Sequence, residues 1–248
     1  MAKARTEPAR RGAATLLASN EAGLAIVIAL LIVIFATVNP GFTSVFNLFA
    51  VTRVMGIDMV IGLSMMVVLV TGGLNLAVGS IGVASVMAGG WLMQVVGVPI
   101  LPAMAGAIVL GAFLGWLNGQ LTTRMGVHSF IVTLATMSIF FGAMIVLTQA
   151  EAFNELPRAF VDFGKLRYYG FVSGMLPLAL LTGLGLWLFF NRTSLGREIK
   201  AAGANPKAAL ISGINVDRTI VVAHALSGAL AALAGLMLAA RNGAALPS

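Results

Sequence analysis

Seven stretches of this sequence, each close to twenty residues long, run almost without charge: 23–38, 56–70, 77–97, 100–121, 129–148, 171–190 and 219–240. About 20 apolar residues cover the ~30 Å of bilayer hydrocarbon when coiled as a helix. Inside hydrocarbon every backbone N–H and C=O must be satisfied within the chain, which favours helices. The expected fold is therefore all-α, a polytopic transmembrane helical bundle of about seven spans. Composition agrees: 59% of the 248 residues are hydrophobic and 9% are Asp, Glu, Lys or Arg, against about 25% charged in soluble domains. The second stretch is the shortest; it either borrows length from residues 45–55 or remains a partial span. Gly72-Gly73, Gly97-Val98-Pro99, Gly126, Pro157 and Asn191 supply the turns between spans. Residues 1–22 are polar and basic and read as a disordered cytoplasmic tail. The run 23–38 is read as an uncleaved first span, because Asn39-Pro40-Gly41-Phe42 offers no small-x-small cleavage site.

Charge sets the orientation. With the N-terminus in the cytoplasm, the inside receives Lys3, Arg5, Arg10, Arg11, Arg124, Arg192, Arg197, Lys200, Lys207 and Arg218. The outside receives Arg53, Arg158, Lys165, Arg167 and Arg241. Ten against five is the bias of the positive-inside rule. The same rule accounts for the formal charge of +7 without nucleic acid as a partner. The loop 149–170, with Glu151, Glu155 and Asp162, is then the sizeable external segment. The chain has no Cys, hence no disulfide and no thiolate chemistry.

Lipid gives no hydrophobic drive for helices to associate, so small residues that admit close backbone approach matter. Ala103, Ala107, Gly111, Gly115 and Gly119 repeat every fourth residue along one face; Ser227, Ala231 and Gly235, and Ser80, Ala84 and Ala88, do the same. Helix packing is the expected use of these faces, and a lined translocation path is the other. Asp58 is expected near the outer start of the second span, where a helix N-terminus suits its charge. His224 is expected as a neutral histidine bonded to a neighbouring helix, and His128 as an interfacial residue at a span entrance. No paired intramembrane carboxylate, metal-ligand cluster or nucleophilic triad can be assembled, so neither an enzyme nor a metal site is expected.

Two segments carry more information. In TGGLNLAVGS (71–80), Gly72-Gly73 interrupts the helix, and Asn75 or Ser80 can satisfy freed backbone groups. Such an interruption is either a break beside a transport path, tolerated where protein or water covers it, or a tight turn between spans. The long inside loop 191–218 reads as helix, turn, helix. Ser194 is read as the cap of a short helix that ends at Gly203; Asn205 is an N-cap, Pro206 fits the first helical position and Gly213 fits the C-terminal stop. The second of these helices is too short to persist alone in water, so it docks on its own bundle or on a partner.

These runs, together with NGQLTTRMGVHSFIVTLATMSIFFG (118–142) and TSLGREIKAAGANPKAALISGINVDR (193–218), resemble the ribose-type family of ABC transporter permeases. The resemblance covers most of the chain after residue 40. It implies the inner-membrane subunit of a bacterial importer for a monosaccharide or similar small solute. A second permease copy, two cytoplasmic ABC ATPases and a periplasmic solute-binding protein complete the assembly, and ATP is bound by the ATPases rather than by this chain, which has no P-loop. Gly196, Arg197, Gly203, Asn205, Ala208, Ala209, Gly213 and Ile214 match the family's ATPase-coupling pattern; Gly72, Gly73, Gly79 and Ser80 match its glycine-rich break. Asn75 stands where the family usually has Asp. The family continues past Ser248 with further spans, so residues 23–248 are expected to be an incomplete permease domain. An ion-coupled secondary transporter is the alternative, with Asp58 as its one intramembrane carboxylate.

Overall fold

The computed structural model describes residues 20–39 and 41–247. The chain divides into two compact units, residues 1–48 and 49–248. In the first, α1 (Asn20–Val38) is apolar all round, with exposed side chains such as Leu24, Val33 and Val38. Asn39 ends it, and its Oδ1 accepts from Gly41 N at 3.0 Å. Of the expected tail, residues 1–19 lie outside the described residues, while 20–22 already belong to α1. Helix α2 (Val45–Leu69) begins in the first unit and continues into the second. It incorporates residues 45–55, so the second span has full length.

The second unit adds α3 (Val78–Gln94), α4 (Ile100–Met125) and α5 (Ser129–Thr148), followed by α6 (Arg158–Lys165) and a two-stranded hairpin, β1 (Arg167–Tyr168) with β2 (Val172–Ser173). Next come α7 (Met175–Arg192), α8 (Ser194–Ala204), α9 (Pro206–Ile211) and α10 (Val216–Asn242). Helices α2, α4, α5, α7 and α10 are long and apolar enough to cross a membrane; α1 and α3 are shorter apolar helices. Five helices of spanning length and two shorter apolar ones match the expectation of an all-α, polytopic chain.

Helix α10 is the most buried of the spans, and small residues set how close its neighbours come. On α4, a Cβ added to Gly111 would lie 2.5 Å from the Gly228 carbonyl oxygen, and one on Gly115 would lie 2.1 Å from that of His224. One on Gly119 would lie 2.6 Å from Val221 Cα. Gly111, Gly115 and Gly119 thus serve helix packing, as expected, with Ala103 and Ala107 buried on the same stripe. A second face of α10 meets α3, where a Cβ added to Gly235 would lie 2.6 Å from the Gly82 carbonyl oxygen. On the expected α3 face Ser80 is buried and Ala84 packs against the core; Ala84 and Ala88 also border an apolar cavity of about 550 Å³ with α4 and α5, while the closest backbone approach of α3 to α10 is at Gly82.

The segment 149–170 is folded rather than a plain loop. Phe153 exchanges backbone hydrogen bonds of 3.0 and 2.9 Å with Ala245, and Leu156 and Phe160 are buried. Gly164 lets α6 rest on the end of α10, since a Cβ there would lie 2.0 Å from the Ala240 carbonyl oxygen. Arg53 donates to the Arg241 carbonyl, and Arg167 stacks over Phe49 at 4.1 Å.

Candidate functional site

The glycine-rich break occupies the connection between α2 and α3. Gly72 adopts φ +81°, a left-handed conformation that an L side chain resists, and this reverses the chain after Leu69. The groups freed by the interruption are satisfied from α5. Ser129 Oγ accepts from Leu74 N at 2.8 Å, and Thr133 Oγ1 accepts from Leu76 N at 3.1 Å. Gly73 fits because a side chain there would strike Ser129 Oγ at 2.6 Å. Asn75 is buried; its Oδ1 accepts from Ala77 N at 3.0 Å and its Nδ2 donates to Ser227 Oγ at 2.9 Å. Ser227 lies 3.0 Å from Ser64 Oγ, whose hydroxyl also reaches the Ser227 carbonyl at 2.8 Å. One buried polar node therefore joins the break, α2 and α10. Ser80 Oγ donates to Ala77 O at 3.0 Å, and Gly79 is exposed. Protein covers the break on one side, and on the other a cleft of about 510 Å³ reaches Gly72, Gly73, Thr122 and His128.

The loop 191–218 is helix, turn, helix. Thr193, rather than Ser194, caps α8, accepting from Gly196 N at 3.0 Å. Asn205 caps α9, accepting from Ala208 N at 3.1 Å, with Pro206 in the first position. Gly213 takes φ +84° and stops the helix, while Ile214 N returns to Ala209 O at 3.0 Å. Gly196 is buried against the Phe189 carbonyl, where a Cβ would come to 2.2 Å. Gly203 approaches the end of α2 so closely that a Cβ would lie 1.7 Å from the Val70 carbonyl oxygen. The two informative segments of the sequence are thus in direct backbone contact.

Arg197 and Ala208 are exposed, whereas Ala209 is buried, so only one of the two alanines faces outward. The outward face of α9 carries Leu210 at 65% and Ile211 at 88% exposure, which the sequence reading passed over. Ser64, Ser129 and Thr133 were also missed. The spacing of Ser129, Thr133 and Thr136 on one helical face was the available signal.

Two expectations are corrected. Asp58 lies in the middle of α2, exposed, and not at a helix start, because α2 begins at Val45. His224 is buried, but its Nδ1 bonds to Ile220 O of its own helix at 2.9 Å rather than to a neighbour. His128 stands at the start of α5, and its Nδ1 accepts from Phe130 N at 3.2 Å. Among the described residues no group of three His, Cys, Asp or Glu converges as metal ligands would.

A family profile described as the permease component of a branched-chain amino acid transport system matches residues 47–248. The chain is 34% identical over 226 residues to the D-allose transport system permease protein AlsC of Escherichia coli, covering 91% of this chain and 69% of that one. It is 36% identical over 226 residues to the ribose import permease protein RbsC of Bacillus subtilis, covering 88% and 68%. The chain belongs to the ribose-type family of ABC transporter permeases. The permease is also 30% identical over 247 residues to the galactose/methyl galactoside import permease protein MglC of Escherichia coli, covering 91% and 72%. No solved structure matches it. As a member of that family the permease is a multi-pass membrane subunit of a transporter, not an enzyme. Its Asn75 donates to Ser227, a part that an ionised carboxylate could not play.

Proposed function

We propose that this permease forms the membrane path of an ATP-driven importer for a monosaccharide or a similar small polyhydroxylated solute. A cytoplasmic ABC ATPase docks on α8 and α9, a periplasmic solute-binding protein delivers the solute, and a second copy of the permease completes the path. The N-terminus faces the cytoplasm, in keeping with the charge bias. The relatives, by their names, carry ribose, D-allose and galactose or methyl galactoside, which supports the solute class.

The observation that carries this reading is the contact of Gly203 with the Val70 carbonyl. A push on α8 and α9 reaches the glycine-rich break without passing through a compressible side chain. The exposed pair Leu210 and Ile211 supplies the handle, since large apolar side chains exposed outside the spans mark interaction sites. Two variants separate docking from transmission. Leu210→Glu with Ile211→Glu should leave membrane abundance unchanged and abolish co-purification of the ATPase. Gly203→Ala should retain the ATPase but lose at least tenfold in solute-stimulated uptake. Wild-type ATPase binding in the first variant, or wild-type uptake in the second, contradicts the assignment.

A further inference from the structure

We infer that the cleft between α4 and α10 at the end of the molecule that carries α8 and α9 is a binding site for an anionic phospholipid. The cleft has a volume of about 840 Å³ and is polar at one end and apolar at the other. Its rim carries Arg124, from the last turn of α4, and Arg218, from the first turn of α10. Asp217 is the one carboxylate of the lining, so the rim is net cationic. Neither guanidinium has an ion-pair or hydrogen-bond partner among the described residues, and both side chains are exposed. Gln120, Thr123 and Asn215 add neutral polar groups at the same level.

Deeper, the walls become apolar: Trp116 and Ala112 on α4, Val222, Leu226 and Ala229 on α10, and Phe189 on α7. At 1.5 Å per residue, Arg124 to Ala112 spans about 18 Å and Arg218 to Ala229 about 16 Å. One leaflet of a ~30 Å hydrocarbon core is about 15 Å deep. A two-cation rim over an apolar trough of one leaflet's depth complements a phospholipid with its headgroup at the rim and an acyl chain along α10. Trp116, 39% exposed, lies about 12 Å along α4 from Arg124, where it offers an aromatic wall to an acyl chain. A free phosphate would satisfy the rim and leave the trough unused, and a transmembrane helix of a partner would leave both guanidiniums uncompensated. The site also adjoins the coupling segment, because the Phe189 carbonyl that packs on Gly196 belongs to a residue of the cleft wall.

The test is native mass spectrometry of the purified full chain in detergent, with phosphatidylglycerol, phosphatidylcholine of the same acyl chains, and soluble glycerol phosphate as probes. The chain should retain phosphatidylglycerol at about thirtyfold lower concentration than phosphatidylcholine, the about 2 kcal/mol that two basic side chains contribute at a membrane surface. Arg124→Ala with Arg218→Ala should remove the preference, and Arg124→Lys with Arg218→Lys should keep most of it. Ala225→Trp, which fills the trough, should weaken retention of both lipids while leaving the gel-filtration profile unchanged, so the result does not hang on one variant's folding. Equal retention of the two lipids, an unchanged preference in the double alanine variant, or full competition by glycerol phosphate would overturn the inference. A cleft closed to lipid by a second protein chain would overturn it as well.

Discussion

Gly115 has no room for even one methyl group. A Cβ there would sit 2.1 Å from the His224 carbonyl oxygen, and the obstacle is backbone, which cannot rotate away. Gly115→Ala should cost about 1–3 kcal/mol through overpacking and Gly115→Leu more. Thermal unfolding in detergent reads this as a lowered midpoint, with Gly62→Ala, where a Cβ meets nothing within 4 Å, as the unaffected control. Asn75 makes the second residue-scale prediction. Asn75→Ala strips a partner from Ala77 N and from Ser227 Oγ, and buried unsatisfied groups cost about 1–3 kcal/mol each. The same assay should show a loss that Asn75→Asp only partly reproduces, because a carboxylate still accepts from Ala77 N. The importance of Gly111, Gly115 and Gly119 was legible because one small residue every fourth position stands out in an apolar helix. Their counterpart Gly228 was not, being one small residue among the alanines of α10. Asp58 was misplaced for a similar reason: residues 45–55 include Asn47, Thr52 and Arg53, which hid the true start of α2.

At the scale of elements, caps and stops carried most of the information. Asn205, Pro206 and Gly213 bracket α9 by side-chain chemistry that does not depend on tertiary contacts, so both ends of that helix followed from the sequence. The buried side of α9 did not, because a six-residue helix has too few positions for periodicity to separate Ala208 from Ala209. Helix α6 and the hairpin were hidden because they exist by contact with the end of α10 and with Phe49, at long range in sequence. Orientation is the prediction that belongs here. The chain has no Cys, so a single introduced thiol is an unambiguous probe. Lys207→Cys on α9 should react only with reagents supplied from the cytoplasm, and Lys165→Cys on α6 only from outside. Labelling of position 207 from outside would invert the arrangement of every span.

Across the whole molecule, a path of rigid contacts leads from α9 through α8 and Gly203 to Val70, and from there through Asn75 and Ser227 into α10. Small residues at each close approach leave little side chain to absorb displacement. The coupled movement of these elements is the core of the proposed import cycle. It is tested most directly by solute uptake into inside-out-free, right-side-out vesicles that hold the permease with its ATPase and its solute-binding protein. Radiolabelled D-ribose, D-allose and D-galactose are offered with internal ATP present or absent, and with ion gradients imposed or collapsed. Accumulation of at least one sugar that requires internal ATP and survives collapse of every ion gradient is the predicted result. Accumulation that follows an ion gradient and ignores ATP would contradict it.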